Sequence, residues 1–130
     1  MTLKIITTTN FYKEHSSWIE QRKYDNDGMP LRIQDGKRLQ TYKRADGYLS
    51  ILIKTNAGKL HLVPLHRFIG LVFLDNPNNF EVINHKNGIK NDCRIDNLEW
   101  TSQSYNILHA LKNNLITPYK KPIHKGNTII

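Results

Sequence analysis

The sequence predicts an α+β protein: a small antiparallel β module, then a helix, then a compact strand–loop–strand–helix unit. Three observations predict it. The apolar runs Leu39–Tyr42, Tyr48–Ile53 and Leu60–Val63 are separated by Asp46-Gly47 and Asn56-Ala57-Gly58-Lys59, the chemistry of tight turns between strands. Leu65, Phe68, Ile69, Val72 and Phe73 follow at helical spacing. A short run ending at Asn84-His85 then meets a loop rich in Asn and Gly before Leu98-Glu99-Trp100 returns.

The elements follow in order. Up to Arg38 the pattern is weak: Trp18 and Ile19 with Arg22 and Lys23 suggest a short helical turn, Asp25 to Gly28 a turn, and Met29 to Ile33 a short strand. The strand–turn–strand meander comes next, with Tyr42, Lys43 and Arg44 on or beside its edge. Pro64 is expected in the first turn of the helix, where a missing N–H costs nothing. That helix stops near Leu74, because Asp75-Asn76-Pro77-Asn78-Asn79 is a dense turn cluster. Phe80 to Ile83 is expected as a strand and Leu98 to Trp100 as its partner. Thr101 or Ser102 is expected to cap a last helix containing Tyr105, Leu108 and Leu111 and stopping at Asn113-Asn114. Ile116 to Ile130 reads as an extended tail.

A chain of 130 residues is most simply one domain. Within it, 1–63 is expected to be a β-rich part, 64–114 a compact core with its preceding helix, and 115–130 a basic tail. A single cysteine, Cys93, excludes an intramolecular disulfide and argues against a cysteine-based zinc site. It fits a reducing compartment. No apolar run approaches the roughly 20 residues of a membrane span. Lys and Arg number 19 against 11 Asp and Glu, a formal charge of +8. Such a surplus favours a polyanionic partner, since neutralised phosphates release counterions.

The chemistry lies between Asn84 and Asn106. Phosphodiester hydrolysis needs an activated water, stabilised phosphoryl charge and help for the leaving oxygen. One hard cation serves the last two needs, and a neutral imidazole near pH 7 serves the first. His85 stands at a strand end, and Asn84 and Asn106 each offer a side-chain carbonyl oxygen suited to Mg²⁺ or Mn²⁺. Asn87 and Asn91 read as turn residues, Trp100 as core, and Cys93 as incidental.

At these residues the chain resembles the HNH endonucleases, whose active site is the ββα-metal (His-Me finger) fold, and most of all their phage and intron-homing branch. The matching pieces are His66 to Phe73, Val82-Ile83-Asn84-His85-Lys86-Asn87-Gly88, Asn91, Asn97 to Trp100, and Ser104-Tyr105-Asn106 with His109-Ala110. The resemblance implies hydrolysis of double-stranded DNA with one divalent cation, Mg²⁺ or Mn²⁺, leaving a 3′ hydroxyl and a 5′ phosphate. It implies His85 as general base, Asn97 as the brace that orients it, and Asn84 and Asn106 as metal ligands, with His109 in reserve. Asn84 departs from the Asp of many members, which implies weaker metal binding. It also leaves an alternative, an inactive or weak HNH-derived DNA-binding module; a related RNA-directed enzyme is a second.

Lys86, Lys90 and Arg94 would lie nearest the scissile phosphate, while Lys43, Arg44, Tyr48 and Lys54 would line a groove for the duplex. His66 and Arg67 are either a solvated helix edge or phosphate contacts. A phage-associated or mobile-element origin, in the cytoplasm of a bacterial host, goes with the resemblance. The chain shows no long C-terminal DNA-binding extension, so specificity is expected to be low or to depend on a partner. A monomer predicts nicking, and a homodimer predicts double-strand breaks.

Overall fold

The structure, a computed structural model, describes residues 3–104, 111 and 112. It opens with the 11-residue helix α1 (Asn10–Glu20), longer and earlier than the short turn suggested around Trp18 and Ile19. Thr9 caps it, its hydroxyl accepting from the Tyr12 N–H at 2.9 Å. His15, Trp18 and Ile19 form its buried face. Met29 to Ile33 is not a strand. Tyr24 bridges Pro30 and Leu31 bridges Arg38, each as an isolated pair, because Pro30 has no N–H to extend a ladder.

The meander is a three-stranded antiparallel sheet of β1 (Tyr42–Lys43), β2 (Leu49–Lys54) and β3 (Leu60–Pro64), in that order. β1 is shorter than the run from Leu39 suggests, and it is an edge, as expected for Lys43. Ser50 lies opposite Pro64 and Lys54 opposite Leu60. Ile51, Ile53 and Val63 point inward, while Leu52 and Leu62 are exposed on the other face.

Pro64 ends β3 and caps helix α2 (Leu65–Phe73), one position before the first turn. α2 is the centre of the molecule, with Phe68, Ile69 and Val72 at most 1% exposed. Ring edges of Phe11 and Trp18 meet Phe68 from α1. β4 (Val82–His85) and β5 (Leu98–Thr101) pair antiparallel on the opposite side, two residues further along than Phe80–Ile83 would have it. One apolar cluster runs from Trp18 and Ile19 through Ile51, Ile53 and Phe68 to Ile83 and Leu98. The first 63 residues are thus joined to the rest by a shared core, and they contain a helix as well as strands. Gln103, Ser104, Leu111 and Lys112 are helical. Tyr105, Asn106, Leu108, His109 and the tail 115–130 lie outside the described residues. No helix among the described residues is long and apolar enough to cross a membrane.

Candidate active site

Alternation along β4 distributes its side chains between two faces. Ile83 packs on α2 at Gly70, and His85 meets His66 of the same helix with ring centroids 5.0 Å apart. Asn84 faces the other way, directly opposite Glu99 of β5. The second edge of β4 has no strand partner among the described residues, so Asn84 and His85 flank an open edge from its two sides.

His85 is 5% exposed. Its ring lies against Tyr48 (5.6 Å between centroids) and His66, and its Nε2 is 3.9 Å from Cys93 Sγ. Burial is the main cause that holds its pKa below the ordinary imidazole value; Asp92 opposes the shift and Lys90 adds to it. The ring is therefore neutral at pH 7 and able to accept a proton. Cys93, which looked incidental, forms part of this pocket, and burial pushes its thiol up to about 12. It is inert as a nucleophile.

The loop after His85 is closed by one buried side chain. Asn97 Oδ1 accepts from the Asn87 N–H at 3.1 Å, and its Nδ2 donates to the Asp92 carbonyl at 2.8 Å and to Asn87 Oδ1 at 3.0 Å. The Asn97 carbonyl also accepts from the Lys86 N–H at 2.7 Å. Asn87 keeps to turn chemistry, accepting from the Ile89 N–H and donating to Asp92. The ends of the loop are thereby tied together, which fixes the exit of β4 where His85 stands.

Asn84 is 5% exposed, and its Nδ2 donates to Glu99 Oε2 at 2.8 Å. Nothing among the described residues donates to its Oδ1. No group of three His, Cys, Asp or Glu side chains gathers among the described residues. An amide oxygen such as Asn84 Oδ1 suits a hard divalent cation rather than a soft one. Asn106 and His109, the helix donors named from the sequence, are outside the described residues.

Comparison with known proteins agrees with this arrangement. Residues 65–108 match the HNH endonuclease family. The chain is similar to two uncharacterized HNH endonucleases of Acanthamoeba polyphaga mimivirus, 35% identical over 94% of this chain and 37% over 77%. The chain spans only about a third of their length, 33% and 30%. DNA endonuclease I-HmuI of Bacillus phage SP01 is 27% identical, over 84% of this chain and 62% of its own. The solved structure of the HNH homing endonuclease I-HmuI matches with a TM-score of 0.65 at 24% identity, covering 81% of this chain and 60% of that one. The α+β fold, with its antiparallel strands, thus matches the fold of that solved structure.

The basic residues of this chain fall into distinct settings. Lys90 Nζ donates to the Asp46 carbonyl at 2.9 Å and lies 5.1 Å from the Tyr48 ring, which ties the β1–β2 turn to the active-site loop. Lys43, Arg44 and Lys86 are exposed nearby, Arg44 being paired with Asp46 at 2.9 Å. Arg94 forms a two-pronged pair with Asp92 at 2.8 and 3.0 Å, so much of its charge is already matched. Lys54 is at the far end of β2, about 20 Å from Tyr48 at the rise of an extended strand. Tyr48 packs on His66 and His85 and serves the pocket wall. Arg67 donates to the Glu81 carbonyl at 3.0 Å and stands over Trp100, bracing the start of β4. Trp100 is half-buried and donates to the Leu74 carbonyl at 3.2 Å, as a core residue would.

Proposed function

We propose that this chain is a Mg²⁺- or Mn²⁺-dependent DNA endonuclease or nickase of the homing type. The observation that carries this reading is the open edge of β4, with a neutral imidazole on one side and, on the other, an amide oxygen that accepts from none of the described residues. A scissile phosphate along that edge is reached by both. His85 takes the proton of the attacking water. Asn97 keeps the imidazole in place by closing the loop behind it. Asn84, with Asn106, would hold the divalent cation, which when bound stabilises phosphoryl charge and the leaving 3′ oxygen. Lys86, Lys43 and Arg44 contact flanking phosphates and set register without reading sequence. The duplex is double-stranded DNA, by analogy with I-HmuI, whose solved structure is described as DNA binding and cleavage.

The neutral amide at Asn84 favours a second reading, a DNA-binding module with weak or no catalysis. Conversion of supercoiled plasmid with Mg²⁺, with Mn²⁺ or with EDTA separates the two. The nuclease reading expects nicked or linear product with metal only, and a loss of about 100-fold or more in His85→Ala, the scale of general-base catalysis. Retained plasmid binding without conversion under any metal would overturn it in favour of the binding module.

A further inference from the structure

Glu99 has no part in the chemistry of His85, Asn97 and Asn84 above, yet it makes the strongest contact of Asn84. A carboxylate only accepts, so the amide atom 2.8 Å from Glu99 Oε2 must be Nδ2. That chemistry fixes the orientation of the amide and turns Oδ1 away from Glu99. The two residues are direct cross-strand partners, so the strand register sets the contact. Glu99 is only half-buried, and among the described residues Asn84 is its sole hydrogen-bond or ion-pair partner. Its negative charge is matched by no cation among them.

We infer that Glu99 is a positioning residue for metal binding, holding Asn84 Oδ1 toward the cation and supplying through the amide the negative charge that Asn84 lacks. The inference rests on the metal-dependent reading above. An amide that donates to an anion draws electron density onto its own oxygen, which makes Oδ1 a better donor to a hard cation. Outer partners of this kind change metal affinity by about 10–100-fold. A plain cross-strand polar pair would add slightly to stability and nothing to metal affinity.

The test is a Mn²⁺ titration of the full chain without DNA, read from the electron paramagnetic resonance signal of free Mn²⁺. Glu99→Gln keeps an oxygen for Nδ2 but loses the charge, and is expected to weaken Mn²⁺ several-fold. Glu99→Ala loses both and is expected to weaken it about tenfold or more. The double variant Asn84→Asp/Glu99→Gln moves the charge onto the strand position and is expected to bind Mn²⁺ at least as tightly as the wild type. Plasmid binding in EDTA is expected to be unchanged in the two single Glu99 variants. The Asn84 side-chain amide resonance gives a metal-free signature, shifted in the wild type and relaxed toward an unbonded amide in Glu99→Ala.

Wild-type Mn²⁺ affinity in Glu99→Gln overturns the role of charge, and wild-type affinity in Glu99→Ala overturns the whole assignment. If Glu99→Ala does not fold, the near-isosteric Gln variant and the double variant decide. A wild-type chain that neither binds Mn²⁺ nor cuts with it sinks the metal-dependent reading itself. Tight wild-type binding with indifferent variants sinks only the role of Glu99.

Discussion

At His66 a ring is wedged between Tyr48 and His85, and its Nδ1 is buried without a hydrogen-bond partner among the described residues. Burial first, then the neighbouring His85, Arg67 and Arg44, lowers its pKa to about 4. The unfolded chain binds that proton near 6.5. As pH falls, the unfolded state is therefore protonated first. The stabilisation is complete above about 6.5, declines between 6.5 and 4, and is gone below. Between pH 7 and 4.5 the loss is on the order of 2–3 kcal/mol. Urea unfolding at both pH values should show His66→Leu losing less stability than the wild type by about that amount. Equal losses would mean that the ring is already solvated. The sequence marked His66 as either a helix edge or a phosphate contact. What the sequence did not show is its burial against Tyr48, which stands 18 positions away just before β2 and becomes a wall only once the chain is folded.

Among the elements, the contact of α2 with the β4–β5 hairpin is the one that sets the active site. Gly70 makes it close: a Cβ there would collide with Ile83 Cδ1 and lie 3.3 Å from Trp100 Cζ2. Alanine gains about 1 kcal/mol of helix propensity over glycine, whereas overpacking costs about 1–3 kcal/mol. With Ile83 and Trp100 both in the way, the packing cost wins, and Gly70→Ala is expected to melt a few degrees lower by circular dichroism. A melting point that is unchanged or raised would show the hairpin free to move off the helix. α1 illustrates the opposite case, an element present in the sequence but easily overlooked. Phe11, His15, Trp18 and Ile19 are spaced as one helix face, but a buried histidine in the middle reads as polar. Its burial is stabilised by the His61 ring at 2.9 Å, far away in sequence, and by the Phe11 carbonyl at 2.8 Å, one turn back. The β2–β3 turn adds Asn56, bonded to the backbone of Lys13 and of Ser17.

Across the whole molecule, the +8 charge does not act uniformly. Arg38 is held by Asp25 and Asp27, Arg94 by Asp92, and Arg44 by Asp46. Lys43 is exposed on the sheet edge beside the turn that touches Lys90, so it tests the DNA path most cleanly. Lys43→Glu is expected to weaken duplex binding and to reduce the slope of log affinity against log salt by about 1 for each phosphate that is no longer neutralised. Lys54→Glu, at the other end of β2, is expected to change that slope less. Equal slopes for Lys43→Glu and the wild type would remove the meander from the DNA path.

The sequence by itself determined the order of the elements and the loop chemistry. Turn residues, apolar periodicity and the Asn84-His85 to Asn97 spacing are local properties, dictated by backbone sterics and short-range hydrogen bonding. The brace at Asn97 was expected from the family resemblance rather than from any local pattern, and its partners Asn87 and Asp92 lie in the loop that precedes it. Only the tertiary structure decided which groups face one another. The neutral state of His85 comes from desolvation by Tyr48, His66 and Cys93, and the orientation of Asn84 comes from strand register with Glu99. Both arise from contacts across the fold, whose distances no local pattern encodes.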